Sequence, residues 1–165
     1  MYGKIEKHGV IDKPLVKIGH QGSSRVRVAD EGRKSVTEYW PLKHYFFPPL
    51  PTPPHQGEGI KKEFLPPGGG GEVGGIDFFT LVRVKLHTGR THQIRVHFSS
   101  EGHPVMGDDL YGKPASQKLA GILPRQFLHA TKLELKLVDG TWLGIESDLP
   151  EDLKKVLDQL KISDI

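Results

Sequence analysis

The sequence contains no cysteine, which removes disulfides, thiolate metal sites and cysteine nucleophiles together. It has no apolar run approaching the roughly 20 residues that a membrane-spanning helix needs, and its mean hydropathy is -0.40. Residues 1–15 alternate charged and apolar side chains and lack the apolar block of a secretory leader, so a cytoplasmic setting is expected. A strong charge imbalance is missing too: 23 Lys and Arg stand against 20 Asp and Glu, a formal charge of +3. That excess argues for a polyanionic partner only if it is clustered.

Glycine and proline, by contrast, are plentiful, at 20 and 13 residues. The excess is local, because residues 48–75 (PPLPTPPHQGEGIKKEFLPPGGGGEVGG) hold 7 of the prolines and 8 of the glycines. Such a composition cannot bury enough apolar surface to offset the entropy of ordering it. The segment is expected to be a disordered insertion within a single domain spanning residues 1–165, a spacer in preference to a Pro-rich docking motif.

Both flanks carry the patterns of folded structure. Residues 4–15 and 25–28 are strand-like, and GRKSVTEYWPL (32–42) alternates Val36 against Thr37 and Tyr39 against Glu38. Val82, Val84 and Leu86 alternate with Arg83, Lys85 and His87, which predicts a half-buried strand ending at Thr88-Gly89. Residues 91–100 suit a short helix with Thr91 as cap and Gly102 as terminator, although Ile94, Val96 and Phe98 also fit a strand. Leu133, Leu135 and Leu137 begin a hairpin that turns at Asp139-Gly140 and returns through residues 142–145. Pro150 opens a helix with Leu153, Val156, Leu157 and Leu160 along one side. No internal repeat is present.

Residues 78–100 contain no acidic residue, whereas Arg83, Lys85, Arg90 and Arg95 give the window a local charge of +4. A basic strand face leading into a Gly turn and a helix start can bind phosphate; a solvated basic face is the equal alternative. His87, His92, His97 and His103 are spaced by five, five and six residues. His-x4-His does not place two imidazoles on one helix face, so backbone or phosphate contacts are expected ahead of metal binding. Ser99 and Ser100 lack the elbow motif of a serine nucleophile.

Residues 87–112 read HTGRTHQIRVHFSSEGHPVMGDDLYG. This closely resembles the H-T-G-R-T-H-Q-I-R-x-H...G-H-P-x-x-G-D-x-x-Y-G signature of RluA-type RNA pseudouridine synthases. RQFLHA (125–130) matches the family's next block, and GRKSVT (32–37) is similar to its G-K-x-A-x-T stretch. The resemblance implies an α+β domain with a mixed, largely antiparallel sheet and flanking helices. It implies isomerisation of a uridine in structured rRNA or tRNA, with the base flipped into a pocket and no metal, nucleotide or organic cofactor.

Within that resemblance Arg95 is similar to the basic residue that pairs with the catalytic aspartate in a supporting role. Arg83, Lys85, His87, Arg90, Thr91, His92 and Gln93 are the implied RNA-binding residues. The family's H-R-L-D-x-x-T-S-G motif, which carries the nucleophilic aspartate, occurs nowhere in the sequence. Gly3 matches the last glycine of the K-x-Y-x-A-x-V-x-G strand, whose tyrosine would then precede Met1. Asp108 and Asp109 fall in a turn, where an aspartate usually caps backbone donors, and Asp12 lies in another. The expectation is thus an incomplete catalytic domain, inactive alone, with a separate N-terminal half as the partner that would complete it. A non-catalytic RNA-binding module is the alternative, and a remnant unable to fold alone is a third reading.

Overall fold

The computed structural model describes residues 1–19, 25–46, 78–112, 123 and 125–163; the 48–75 insertion lies outside them. In chain order the elements are β1 (Gly9–Asp12), β2 (Leu15–Ile18), β3 (Arg25–Val28), β4 (Val36–Phe46), β5 (Phe78–Leu86), α1 (Gln93–Ser100), β6 (Lys132–Lys136), β7 (Trp142–Glu146), α2 (Glu151–Gln159) and β8 (Lys161–Ile162). No helix among the described residues is long and apolar enough to cross a membrane.

The main sheet is built on one long antiparallel pairing, β4 with β5, running from Thr37↔Leu86 to Phe46↔Phe78. β1 and β8 line the other side of β4 at its two ends, and every pairing in the sheet is antiparallel. β2 with β3 and β6 with β7 form two separate hairpins. Strand periodicity therefore predicted the type of β1 and of β3 to β7, whereas β8 was not foreseen. The tertiary fold set their limits: of the expected strand over 4–15 only Gly9–Asp12 (β1) and Leu15, the first residue of β2, are strand, and the stretch over 32–42 becomes a strand from Val36 to Phe46.

Pro41 has no N–H to give a ladder, and the β4–β5 register slips between Pro41 and Lys43, leaving Leu42 as an exposed extra residue. An extra residue inverts the side-chain alternation that follows it. Tyr39 and Tyr45, an even number of residues apart, consequently serve different cores. Tyr39 joins Val82, Val84, Ile5 and Ile11 beneath Phe98 and Ile94 of α1. Tyr45 joins Phe79, Met106, Leu123, the α2 residues Leu153 and Val156, and Leu160 just past the helix. On β5 the two sets belong to opposite parities, so α1 and α2 pack on opposite faces of the sheet at its two ends.

Helix α1 also closes a third cluster, in which Val96 meets Leu15 and Val26 of the β2–β3 hairpin. Its start differs from expectation. His92, not Thr91, occupies the cap, with φ 53 and no side-chain cap bond. The turn is held instead from inside the helix, because Gln93 Oε1 accepts the Arg90 N–H at 3.0 Å and the Thr88 hydroxyl at 2.9 Å. The helix ends at Gly102 (φ 83) as expected: Gly102 N–H bonds Ser99 O and His103 N–H bonds Phe98 O, the paired bonds of a left-handed glycine terminus.

Two further expectations needed correction. Thr37, the polar member of its alternating pair, is fully buried, while Val36 is only half-buried. The β6–β7 hairpin is exposed along its whole length, including Leu133, Leu135, Leu143 and Ile145, because no described element packs on its leucine face. Pro150 caps α2 as predicted, and Glu151 and Asp152 place negative charge in its first turn, where the helix dipole favours it.

Gly107 and Gly102 both have positive φ, but a Cβ on Gly107 would lie 2.5 Å from Arg125 O, whereas open space surrounds Gly102. Gly102→Ala should therefore cost about 1–2 kcal/mol, the left-handed strain alone. Gly107→Ala adds a backbone clash and should cost clearly more; urea melts of the two variants measure the difference.

Candidate nucleic-acid interface

The signature segment folds around a buried polar junction. Thr37 Oγ1 accepts a bond from Gln93 Nε2 at 3.0 Å and lies 2.8 Å from His97 Nδ1. His97 Nε2 lies 3.0 Å from the Lys13 carbonyl, which can only accept, so the network assigns the proton to Nε2 and makes Nδ1 the acceptor for the Thr37 hydroxyl. Burial lowers the His97 pKa, in keeping with a neutral ring, despite the opposing pull of the Lys13 carbonyl bond. Gln93 also donates to Val36 O at 3.0 Å, which completes a fully engaged, buried amide.

This placement corrects one expectation: Gln93 holds the 88–92 loop against β4 and presents no free group outward. His97 does the same for α1. Thr88, one turn earlier, accepts the Val36 N–H at 2.9 Å, so the loop is stitched to β4 from both ends.

Arg95 lies between Gln93 and His97 in sequence and projects from the other side of α1, about 200° round the helix from each. Its Nε and Nη2 donate to Asp108 Oδ2 and Oδ1 at 2.8 and 2.7 Å, a bidentate pair with side chains 10% and 0% exposed. Asp108 Oδ1 also accepts the Leu110 and Tyr111 N–H groups at 3.0 Å, so the turn-capping role expected for it holds. Burial alone would raise the Asp108 pKa, but the Arg95 bonds and the two backbone donors outweigh it and hold the carboxyl below its usual value. The exposed Asp109 lies 3.6 Å from Arg95 Nη2, and the Tyr111 ring lies 5.1 Å from its guanidinium carbon.

Tyr111 extends the cluster to the β2–β3 hairpin. Its hydroxyl accepts the Val26 N–H at 2.9 Å and lies 2.9 Å from His92 Nδ1. The His92 pKa is lowered by burial and by the Arg95 charge, so the ring is neutral at pH 7 and the left-handed backbone of residue 92 holds it beside Arg95. Sequence reading did not single out Tyr111; its place in the D-x-x-Y-G block was the available signal.

The +4 window does not form one patch. Arg95 and His92 lie with α1, whereas Arg83 and Lys85 point to the opposite sheet face, where Arg83 pairs across from Trp40 and lies 5.1 Å from its ring. His8 stacks on the same indole with centroids 5.1 Å apart. Glu38, brought in by β4, sits across from Lys85 and contacts His87 at 2.8 Å and His8 at 3.0 Å, which lowers its pKa. The basic face thus has a carboxylate at its centre that the 78–100 window does not contain. Arg90 and Thr91 are exposed at the loop between the faces, with Arg90 Nε 3.3 Å from Lys34 O.

No group of three or more His, Asp or Glu among the described residues is arranged to hold a metal ion. Arg125, from the RQFLHA block, makes a bidentate pair with Asp152 at 2.7 and 3.0 Å and donates to Leu128 O at 3.0 Å, fastening that block to the start of α2.

The architecture is an α+β fold with an antiparallel main sheet, and its signature loop sets an arginine and a neutral histidine beside a buried carboxylate. Comparison with known proteins identifies the family. The sequence model of the RNA pseudouridylate synthase family matches residues 2–100, more than half of the chain. An uncharacterized RNA pseudouridine synthase of Aquifex aeolicus (strain VF5) is 34% identical over 173 residues, covering 96% of this chain and 43% of that protein. The ribosomal large subunit pseudouridine synthase D of Pseudomonas aeruginosa is 35% identical over 169 residues, with 96% and 43% covered.

The solved structure of human RNA Pseudouridylate Synthase Domain Containing 1 shares the fold, with TM-score 0.65 at 21% identity over 98% of this chain and 56% of that one. The chain belongs to the RNA pseudouridylate synthase family, as its signature residues implied. It spans about two fifths of the length of these curated relatives.

Two expected outcomes follow from the buried groups. Asp108→Ala strands a nearly buried guanidinium and two N–H groups, and should lower unfolding free energy by about 3–5 kcal/mol, measured by urea denaturation. His97 has a folded pKa below its unfolded value of about 6.5, so the unfolded chain binds the proton more readily. Its contribution to stability is complete above that unfolded value and declines as pH falls below it, towards the folded pKa. Unfolding free energies at successive pH values from 7.5 to 5 should fall, and His97→Gln should flatten that slope.

Proposed function

We propose that this chain forms the RNA-cradling, arginine-bearing part of a pseudouridine synthase that isomerises uridine in structured rRNA or tRNA, with the nucleophilic aspartate supplied from outside these 165 residues. The observation that carries the reading is the folded signature: Arg95 is oriented by Asp108 through Nε and Nη2. Nη1 is then the guanidinium nitrogen left for another carboxylate, and a cationic partner would keep that carboxylate ionised and nucleophilic. Family membership and the absence of an H-R-L-D motif from the sequence support the division of labour.

Arg90, Thr91 and His92 border Arg95 and contact the RNA near the flipped base, while Arg83, Lys85 and His87 meet phosphates from the other sheet face. Gln93 acts indirectly by fixing the loop. The reaction implied by the family needs no metal or organic cofactor. The chain acts in the cytoplasm as one domain interrupted by the 48–75 segment, a reading supported by its lack of cysteine and by that segment's composition. A second reading, an RNA-binding module without chemistry, is favoured by the missing aspartate motif.

Tritium release from RNA labelled at uridine carbon 5 tests the proposal. The chain alone should release none, and addition of a separately made polypeptide bearing the H-R-L-D motif should restore release. Turnover by the chain alone would overturn the placement of the nucleophile. RNA binding without release in any combination would favour the second reading. In either case Arg90→Ala should reduce the slope of log affinity against log salt by about 0.7–0.9, as measured by filter binding.

A further inference from the structure

Among the described residues His92 alone, glycines aside, has a positive φ, at 53. Such a backbone is uncommon for a residue with a Cβ, and it persists where the surroundings hold it from more than one direction. Residue 92 is held from two. Along the chain, Gln93 Oε1 takes the Arg90 N–H and the Thr88 hydroxyl, and the His92 carbonyl accepts the Val96 N–H at 2.9 Å. Across the fold, the His92 Nδ1 lies 2.9 Å from the Tyr111 hydroxyl, with the two rings edge to face at a centroid separation of 5.6 Å.

The proton positions in this pair follow from what surrounds Tyr111. Its oxygen already accepts the Val26 N–H at 2.9 Å, so the contact that uses its own proton is donation to His92 Nδ1. The proton of the imidazole then resides on Nε2. A neutral ring suits the setting, because burial and the Arg95 charge both lower the His92 pKa against an opposing pull from Asp108. Nε2 has no partner among the described residues and stays within reach of solvent, since none of their fully enclosed side-chain nitrogens or oxygens lacks a partner. The site thus presents, beside the guanidinium, a donor that carries no charge. An N–H of this kind pairs with a carbonyl or phosphate oxygen and is repelled by the N–H groups of a base edge.

We infer that Tyr111 is a positioning residue that fixes His92 as an Nε2–H donor for an oxygen of the RNA next to Arg95, either a uracil carbonyl or a backbone oxygen. The inference rests on the RNA reading above and deepens it. His92 selects an oxygen acceptor without adding charge, and Arg95 remains the cation of the pair.

Two measurements on the full chain test it. Long-range proton–nitrogen NMR correlations at neutral pH should show His92 with Nε2 protonated and Nδ1 bare. Tyr111→Phe, which keeps the ring but not the hydroxyl, should draw the two nitrogen shifts together. Filter binding then uses two stem-loop RNAs, one with an all-uridine loop and one with an all-cytidine loop. His92→Asn suits the left-handed backbone and its amide reaches no further than Nδ1, so it removes the outer donor alone. It should weaken binding about two- to tenfold, the worth of one neutral hydrogen bond, and leave the salt slope unchanged. Equal losses on both stem-loops would place the acceptor on the RNA backbone, and a loss confined to the uridine loop would place it on the uracil carbonyl that cytosine lacks; either supports the inference. A proton on Nδ1, shifts unmoved by Tyr111→Phe, no loss of affinity in His92→Asn, or a salt slope lowered by about 0.7–0.9 as for a lost cation would each overturn it. If the unaltered chain binds neither stem-loop, the RNA reading itself falls, and the acceptor assigned to His92 falls with it. Should Tyr111→Phe fail to fold, the spectrum of the unaltered chain and the binding of His92→Asn decide the matter.

Discussion

The Thr37 hydroxyl is the point on which the signature segment depends. It is fully buried, accepts from Gln93 and donates to His97, and so ties two turns of α1 to one residue of β4. In a site closed to water each of these groups must find its partner in the protein, because an unpaired buried polar atom costs about 1–3 kcal/mol. The apolar contact of Phe98 with Tyr39, Val82 and Val84 attracts α1 to the sheet but does not fix its rotation. The directional bonds of Thr37 do fix it, and Arg95 thereby faces Asp108 and Tyr111.

The bulge at Leu42 has an equally wide effect. By inverting the alternation of β4 it lets one strand serve two cores, so that α1 and α2 cover opposite faces of the sheet at opposite ends. The part of the α2 face that no described element covers is where Arg83, Trp40 and Glu38 stand. The same sheet therefore carries a buried arginine site on one side and a mixed-charge aromatic surface on the other. A charge count along the chain merges what the sheet separates.

Much of the candidate site was legible in order along the chain. The H-T-G-R-T-H-Q-I-R string, the turn role of Asp108 and the Gly102 terminus each depend on residues close in sequence, where periodicity and backbone sterics act directly. What escaped the sequence depends on distant partners. Gln93 looked like a surface donor until β4 supplied Val36 and Thr37 as acceptors, and His92 replaced Thr91 as the cap because Gln93 captured the Arg90 N–H from within the helix. Tyr111 gained its place only when the β2–β3 hairpin brought in Val26. The leucine face of β6 and β7, apolar in pattern, stayed exposed because pattern specifies a face to be covered and not the element that covers it.

The opening scarcities acquire sharper meaning from this. Without cysteine and without a strong net charge, the chain relies on hydrogen-bonded and ion-paired side chains to fix its site, and the sequence alone determined which types these are: Thr, Gln, His, Arg and Asp in one signature. It also determined the strands, because alternation at a period of two is a local property. Tertiary structure alone decided which of those polar groups are consumed in holding the loop and which remain turned outward, since burial and partnership arise between residues 50 or more positions apart, as with Thr37 and Gln93. It decided as well that β4 stands between β1 and β5, for strand order is a property that no single strand's sequence contains.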